Sequence, residues 1–354
     1  MELRSARQQE NKQVQDLAVE IFKPNMKEQF IRLFHERNNE RIMIAKDGDD
    51  VVAAVNHYTT HIISNRGLFK VASIGAVCTK NAYRGQGISS RLLALTEDKM
   101  LHDHVDFCII SGRRGIYQRF GARDVGAIYR YQFVPQEKLV GDLKPYQGEE
   151  HILYDLYQKE PIRYTRDDPS EFHDLFIAQT YPDSYQDYHT YIIEDQGIPK
   201  AYVIAIDHHE KNVLQIKEYA GNRAYIASGF KAISERHQKN QIEIMIPKHD
   251  TLRQHMPIRG QKMTQQATIK IIDKASFFSK LNQYAQEHHL DVSFEIGETD
   301  QVIINHHVYP ITHPALLELI FSGTIDRTWA SEDKATIRRI VPIGLPWSHN
   351  LNYQ

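Results

Sequence analysis

One short stretch decides how the first part of this chain folds, and it reads Val77-Cys78-Thr79-Lys80-Asn81-Ala82-Tyr83-Arg84-Gly85-Gln86-Gly87-Ile88-Ser89-Ser90. The mostly apolar residues 67–79 predict a central strand that ends within it. Apolar residues then recur at helical spacing from Ile88 to Met100, which predicts a helix. The loop between them contains Gly85 and Gly87, which allow a ligand to approach the backbone closely.

The start of this helix has the properties of an anion site. Its N–H groups at Gln86 to Ser90 have no partner within the helix and lie at the positive end of the helix dipole. That geometry suits a pyrophosphate. The third glycine and acid of a dinucleotide site are missing, as is the Gly-Lys-Ser/Thr of a nucleoside triphosphate loop. The alternative is that Gly85 and Gly87 only form a tight turn.

The segment Arg84-Gly85-Gln86-Gly87-Ile88-Ser89 resembles the Arg/Gln-x-x-Gly-x-Gly/Ala motif of the GNAT superfamily of N-acetyltransferases, with Ser89 replacing the final Gly or Ala. The resemblance implies that acetyl-CoA binds here as cosubstrate and that the strand end pairs with its pantetheine arm. The predicted cofactor-binding residues are therefore Val77, Cys78, Thr79, Arg84, Gly85, Gln86, Gly87, Ile88, Ser89 and Ser90.

A second segment strengthens the resemblance. Residues 116–121 read Ile116-Tyr117-Gln118-Arg119-Phe120-Gly121 and look like the Ile-Tyr-x-Arg-Phe-Gly signature with which GNAT domains close the cofactor cleft. In that family the tyrosine is the proposed general acid for the leaving thiolate, and the match carries this role to Tyr117. The alternative is that Tyr117, one of 19 tyrosines, only packs its ring.

The rest of the chain repeats part of this pattern. Helical patterns are predicted over residues 10–22 and 26–37, and residues 127–134 are predicted as the last strand of the first block. The second block has a similar strand–helix–strand order, with the helix over residues 222–237. Its junction at residues 218–223 has one glycine and no Arg-x-x-Gly, so we expect no pyrophosphate site there.

The whole layout resembles the Eis-type (enhanced intracellular survival) acetyltransferases. It implies an α+β (mixed α/β) fold: tandem GNAT folds, whose mixed central sheets are flanked by helices, and a small C-terminal sterol-carrier-like α/β domain. The predicted domains are a catalytic one at 1–140, a degenerate one at 150–264 and the sterol-carrier-like one at 265–354. In that family the C-terminal carboxylate acts as general base, a role that passes here to Gln354. The family also implies a homo-oligomer.

Composition limits the partners. Hydrophobic residues make up 41% and charged residues 25% of the 354, as in ordinary globular proteins. A net charge of -2 predicts no nucleic-acid partner. No apolar signal region or membrane span is recognised, and Cys78 and Cys108 are the only cysteines, so we expect a cytoplasmic protein without a membrane partner. The 19 histidines show no metal-ligand spacing, so no metal is predicted.

These patterns together predict an acetyl-CoA-dependent N-acetyltransferase that passes the acetyl group directly to an amine. Its partners would be acetyl-CoA and an acceptor that bears the amine. Two alternatives stay open at this point: a non-catalytic acyl-CoA-binding or scaffold protein that keeps the fold, and a carrier of a hydrophobic ligand through the sterol-carrier-like block.

Overall fold

The computed structural model describes residues 1–22, 24–182 and 185–353. These residues form two compact units. The first comprises residues 1–126, 264–343 and 353, and the second comprises residues 127–263 and 344–352. Each unit combines distant parts of the chain.

The strands are, in chain order, β1 (Glu2–Ser5), β2 (Ile42–Asp47), β3 (Asp50–Ser64), β4 (Gly67–Thr79), β5 (Phe107–Ile110), β6 (Ile128–Phe133), β7 (Asp142–Pro145), β8 (Arg163–Tyr164), β9 (Gln186–Asp195), β10 (Ile198–His208), β11 (Val213–Gly221), β12 (Gln241–Pro247), β13 (Gln261–Met263), β14 (Thr268–Ile271), β15 (Val292–Glu295), β16 (Asp300–Ile304) and β17 (His307–Ile311). The helices are α1 (Asn11–Ile21), α2 (Met26–Gln29), α3 (Ile31–Phe34), α4 (Ile88–His102), α5 (Gly115–Arg119), α6 (Glu150–Tyr157), α7 (Pro169–Gln179), α8 (Arg223–Arg236), α9 (Lys274–Glu287), α10 (His313–Leu317) and α11 (Ser331–Ile337).

The first unit is built on a mixed sheet with the strand order β1-β2-β3-β4-β5-β14. Strands β4 and β5 are parallel, and the other pairs along this path are antiparallel. Helix α4 makes the crossover that a parallel pair requires. Its apolar face is buried at Leu92, Leu93 and Met100, as the helical spacing predicts.

The second unit repeats this arrangement. Its sheet has the order β13-β6-β12-β11-β10-β9-β7, with the parallel pair β11 and β12 joined by α8. The predicted strand–helix–strand echo is therefore present in the structure. Mixed sheets flanked by helices confirm the predicted fold class.

The strand that the sequence assigns to the end of the first block pairs with strands of the second unit. The predicted last strand of the first block, β6, pairs with β12 in the second unit, where Phe133 lies opposite Ile242. The place beside β5 is taken by β14, where Thr268 lies opposite Ile110. Alternation of apolar and polar residues identifies a strand but does not name its neighbour, so only the tertiary structure shows this exchange.

The region after residue 264 packs into the first unit. The ring of Phe277 on α9 lies 5.2 Å, centroid to centroid, from Phe69 on β4 and 5.9 Å from Phe107 on β5. All three rings are completely buried. Helix α9 therefore belongs to the core of the first unit.

The predicted helix over residues 26–37 is interrupted. It consists of α2 and α3, separated at Phe30, whose φ of -117° and ψ of 47° leave the helical region. The ring of Phe30 lies 5.7 Å from that of Tyr353 in an edge-on arrangement. The half-buried side chain of Phe30 thus packs against Tyr353 at the point of interruption.

Both cysteines are free and buried. Burial raises the pKa of the Cys78 thiol and of the Cys108 thiol to about 12. Both side chains therefore act as small apolar residues. Across the part of the chain that the structure describes, no helix combines the length and the apolar character needed to cross a bilayer.

His57 on β3 makes the stability of this protein depend on pH. Its side chain is completely buried, and burial lowers its pKa to about 3. Below pH ~6.5 the unfolded chain takes up a proton that the folded chain does not, so the free energy of unfolding falls as pH falls. At about 1.4 kcal/mol per pH unit, this residue alone removes about 2 kcal/mol between pH 6.5 and pH 5.

We expect His57→Met to remove this part of the pH dependence in urea unfolding followed by circular dichroism. His102→Gln replaces an exposed histidine of the same unit and serves as the control. Equal losses of stability in the parent and in His57→Met would contradict the prediction.

Candidate active site

A cleft opens where β4 and β5 part. The two strands pair from Val71 to Ile74 on β4, whereas β4 continues to Thr79 and there pairs with β3. The N–H of Lys80 donates to the carbonyl of Val52 on the β3 side at 2.8 Å. Because successive N–H groups of a strand point to opposite edges, the N–H of Thr79 points into the cleft. The end of β4 thus offers a strand edge to an extended ligand.

A β-bulge at Ala76 marks the point where the cleft opens. Ala76 has a φ of 47°, and the β3–β4 register shifts between Ala54 and Asn56. The side-chain amide of Asn56 donates to the Ala76 carbonyl at 3.1 Å and holds this conformation. A non-glycine residue with positive φ costs about 1–3 kcal/mol and often marks a functional site. Sequence reasoning missed this bulge, since alanine gives no signal for positive φ.

The loop between β4 and α4 forms an anion cradle, residues 85–90. Gly87 is the N-cap of α4 with a φ of 72°, and no side chain caps the helix. The first helical bond runs from the N–H of Arg91 to the carbonyl of Gly87 at 3.2 Å. Among the described residues, none accepts a hydrogen bond from the N–H groups of residues 85–90. A Cβ on Gly85 or Gly87 would meet nothing within 4 Å, so the space above the cradle is open.

The cleft and the cradle form one cavity of about 570 Å³, which we call the cofactor cavity. It is lined by most of the predicted cofactor-binding residues and by the predicted acid: Val77, Cys78, Thr79, Arg84, Gly85, Gly87, Ile88, Ser89, Ser90 and Tyr117. The Thr79 and Ser89 hydroxyl oxygens lie 2.8 Å apart and join the strand end to the helix start. Gln86 is not among the lining residues; its amide donates to the Ala82 carbonyl at 3.4 Å.

Two cationic side chains of the cofactor cavity were missed by sequence reasoning. Arg114 and Arg119 line it together with Arg84. Their signals in the sequence are the pair of arginines at residues 113–114 and the arginine within the segment 116–121. Guanidinium groups suit phosphate oxygens, so the wall matches a ligand that carries several phosphates.

Tyr117 lies between the cofactor cavity and a second cavity of about 450 Å³, which we call the acceptor cavity. Both cavities also share Ile21, Val77 and Arg114. The ring of Tyr117 is buried, and a Cβ on Gly112 would lie 3.3 Å from its Cε2 atom, so glycine leaves room for the ring.

The chemistry of the Tyr117 hydroxyl follows from this setting. The hydroxyl has no hydrogen-bond partner among the described residues. Burial raises the pKa of Tyr117, and the positive charge of Arg114 offsets part of that shift. The phenol therefore stays protonated at neutral pH and has a proton to donate in the shared part of the two cavities. Gln354, the predicted base, lies outside the described residues, whereas its neighbour Tyr353 lines the acceptor cavity.

At the corresponding junction of the second unit a cavity of about 410 Å³ is present, but a side chain of the protein already binds the main-chain donor there. The Glu160 carboxylate accepts the N–H of Gly221 at 2.8 Å and pairs with Arg223, which also pairs with Asp250 at 2.8 Å. A Cβ on Gly221 would lie 2.3 Å from the carbonyl oxygen of Lys200, in contrast to the open space above Gly87. An internal carboxylate thus occupies the position that a ligand anion would take.

Within the described ranges, possible metal-ligand atoms lie within 4.8 Å of one another in two side-chain groups: His189 with Asp207 and His237, and His307 with Glu332 and Asp333. In the first group, Asp207 already pairs with Lys239 at 2.7 Å. In the second, Asp333 accepts hydrogen bonds from Asn305 and Tyr309. The carboxylates at the centre of both groups are thus already bound by protein donors.

Comparison with known proteins defines the class. Residues 2–124 match the family model described as Acetyltransferase (GNAT) domain, so the part of the chain that forms the cofactor cavity is a GNAT acetyltransferase domain. The protein is an acyltransferase. A search of curated protein sequences gave no match.

Several solved structures share the fold. A GCN5-related N-acetyltransferase from Anabaena variabilis is 13% identical, with 96% of each chain covered and a TM-score of 0.66. A probable N-acyltransferase from Enterococcus faecalis is 13% identical, with 88% of this chain and 85% of that one covered and a TM-score of 0.63. Eis1 from Mycobacterium abscessus is 11% identical, with 92% of this chain and 90% of that one covered and a TM-score of 0.61. At these identities the likeness concerns the fold.

Proposed function

We propose that this acyltransferase moves the acetyl group of acetyl-CoA directly to an amine. One observation carries the proposal: Tyr117 lines both the cofactor cavity, which contains the anion cradle, and the acceptor cavity. A thioester in the first cavity and an amine in the second would meet beside a protonated phenol. Direct transfer requires that the thioester and the amine are held close together in this way.

The cofactor would be held by main-chain groups. The oxygens of its pyrophosphate would accept hydrogen bonds from the N–H groups of residues 85–90. The side chains of Arg84, Arg114 and Arg119 line the same cavity. Its pantetheine arm would lie along residues 77–79 as an added strand. The N–H of Thr79 would then polarise the thioester carbonyl, and one such donor is typically worth about 2.7–4 kcal/mol in the transition state.

The transfer itself needs an acid and a base. The neutral amine would attack the carbonyl carbon, and the carbon–sulfur bond would break as the tetrahedral intermediate collapses. Tyr117 would give its proton to the departing sulfur, and a base would remove the proton of the amine. We propose the C-terminal carboxylate of Gln354 as this base, in line with the Eis-type resemblance. Tyr353 supports this assignment because it lines the acceptor cavity.

We expect the protein to bind acetyl-CoA in isothermal titration and to release the CoA thiol only when an amine is present. Thiol release is followed with a chromogenic disulfide over a panel of primary amines, and the reaction without amine gives the background. Tight binding without release for any amine would contradict the proposed transfer and favour the non-catalytic acyl-CoA-binding protein.

The finer parts of the resemblance are also proposals. We propose an Eis-type layout in which residues 265–354 form a sterol-carrier-like domain. We also propose that the protein forms a homo-oligomer and that it is located in the cytoplasm. The carrier of a hydrophobic ligand is the less favoured function, because Phe277 and Phe321 pack their rings 6.0 Å apart inside the first unit. Light scattering after gel filtration would measure the oligomeric state.

A further inference from the structure

We infer that the acceptor is a monoamine on an apolar body of aromatic size, and that the acceptor cavity disfavours polycations. The inference rests on the proposed function, because it assigns the acceptor cavity to the amine. It adds the chemical class of the acceptor, which neither the motifs nor the fold determines.

One wall of the acceptor cavity is apolar. It is formed by Phe22, Met26 and Phe30, which follow one another between the end of α1 and the start of α3, and by Tyr353. The rings of Phe30 and Tyr353 meet edge-on at 5.7 Å. Phe22 remains 40% exposed although it is a large apolar residue, so this wall offers apolar surface to a ligand.

The charge of the acceptor cavity also disfavours polycations. Among its described lining residues there is no aspartate or glutamate, and the one charged side chain is Arg114. No described residue forms an ion pair with Arg114, and its charge reaches the phenol of Tyr117. A second ammonium group on the acceptor would meet this guanidinium, and no described lining residue offers it a carboxylate. The C-terminal carboxylate proposed at Gln354 would serve the reacting amine. Polyamines and aminoglycosides carry several such groups.

The arrangement of the cavity orients the acceptor. The reacting nitrogen must lie near Tyr117 and Val77, which border both cavities. The body of the acceptor then extends toward Met26 and Phe30. A volume of about 450 Å³ is that of a small-molecule pocket and admits an aromatic ring with a short linker.

The test compares two amines with the wild-type protein. We expect kcat/KM for phenethylamine to exceed that for spermidine by at least about tenfold, since apolar contacts and charge repulsion both favour it. Equal or better use of spermidine would overturn the inference and leave the proposed transfer intact. If acetyl-CoA binds but its acetyl group is transferred neither to these two amines nor to any amine of the wider panel, both the proposed function and this inference are overturned.

Two variants of Phe22 test the role of the apolar wall of the acceptor cavity. Phe22→Ala is expected to raise KM for phenethylamine about five- to tenfold, with an unchanged Kd for acetyl-CoA, because Phe22 lines only the acceptor cavity of the two. Phe22→Glu should shift the kcat/KM ratio toward spermidine by at least about tenfold. Leu101→Ala, at an exposed apolar residue of α4 outside both cavities, is the control. Unchanged constants in both Phe22 variants would contradict the assignment.

Discussion

Replacing Tyr117 by phenylalanine is expected to lower kcat by about 10²- to 10⁴-fold, the usual contribution of a positioned general acid. The ring would keep its packing against Gly112, and only the hydroxyl would be lost. The thiolate would then leave without a proton donor. Because the cofactor cavity is lined mainly by other residues, we expect the Kd for acetyl-CoA to stay within about twofold.

The measurement is steady-state kinetics with the best amine of the panel, together with isothermal titration of acetyl-CoA. Tyr284→Phe is the matched control, because Tyr284 lies on α9 in the same unit, outside both cavities, and its hydroxyl accepts a hydrogen bond from Arg66. An unchanged kcat in Tyr117→Phe would exclude Tyr117 as the acid. A joint loss of kcat and acetyl-CoA affinity would assign it a binding role instead.

Replacing Gly87 by glutamate is expected to weaken acetyl-CoA binding by at least about 10²-fold. The N-cap position of α4 has a φ of 72°, and the new side chain would project into the open space above the anion cradle. Its carboxylate would compete with the pyrophosphate for the N–H groups of residues 85–90, and it would repel the phosphates in a partly desolvated site.

Gly197→Glu separates this effect from backbone strain. Gly197 lies in the hairpin between β9 and β10 of the second unit, has a φ of 75° and would also meet nothing within 4 Å. The strain and the added charge are thus nearly the same, but the cradle is untouched. Titration of acetyl-CoA should show normal affinity in this control. Undiminished affinity in Gly87→Glu would show that the phosphates do not lie over the cradle.

Local patterns in the sequence were enough to predict the strand, the helix and the loop that form the candidate site. The helix predicted from the apolar repeat at Ile88 to Met100 is α4, and the strand predicted before it is β4. The two glycines of the loop adopt the positive φ that their residue type allows. Such features depend on neighbours a few residues away, so periodicity and residue type suffice to predict them.

Which distant segments of the chain lie beside one another is visible only in the tertiary structure. The exchange of β6 and β14, the bulge at Ala76 and the acceptor cavity all join residues that are far apart in the chain. Phe22 and Tyr353 line the same cavity although most of the sequence lies between them. The strand pattern of β6 is the same whichever sheet it joins, because alternation encodes a buried face and not the identity of the neighbouring strand. Residue type and periodicity were therefore sufficient for the loop that we propose as the cofactor site, whereas the surface that we propose for the acceptor depends on long-range packing.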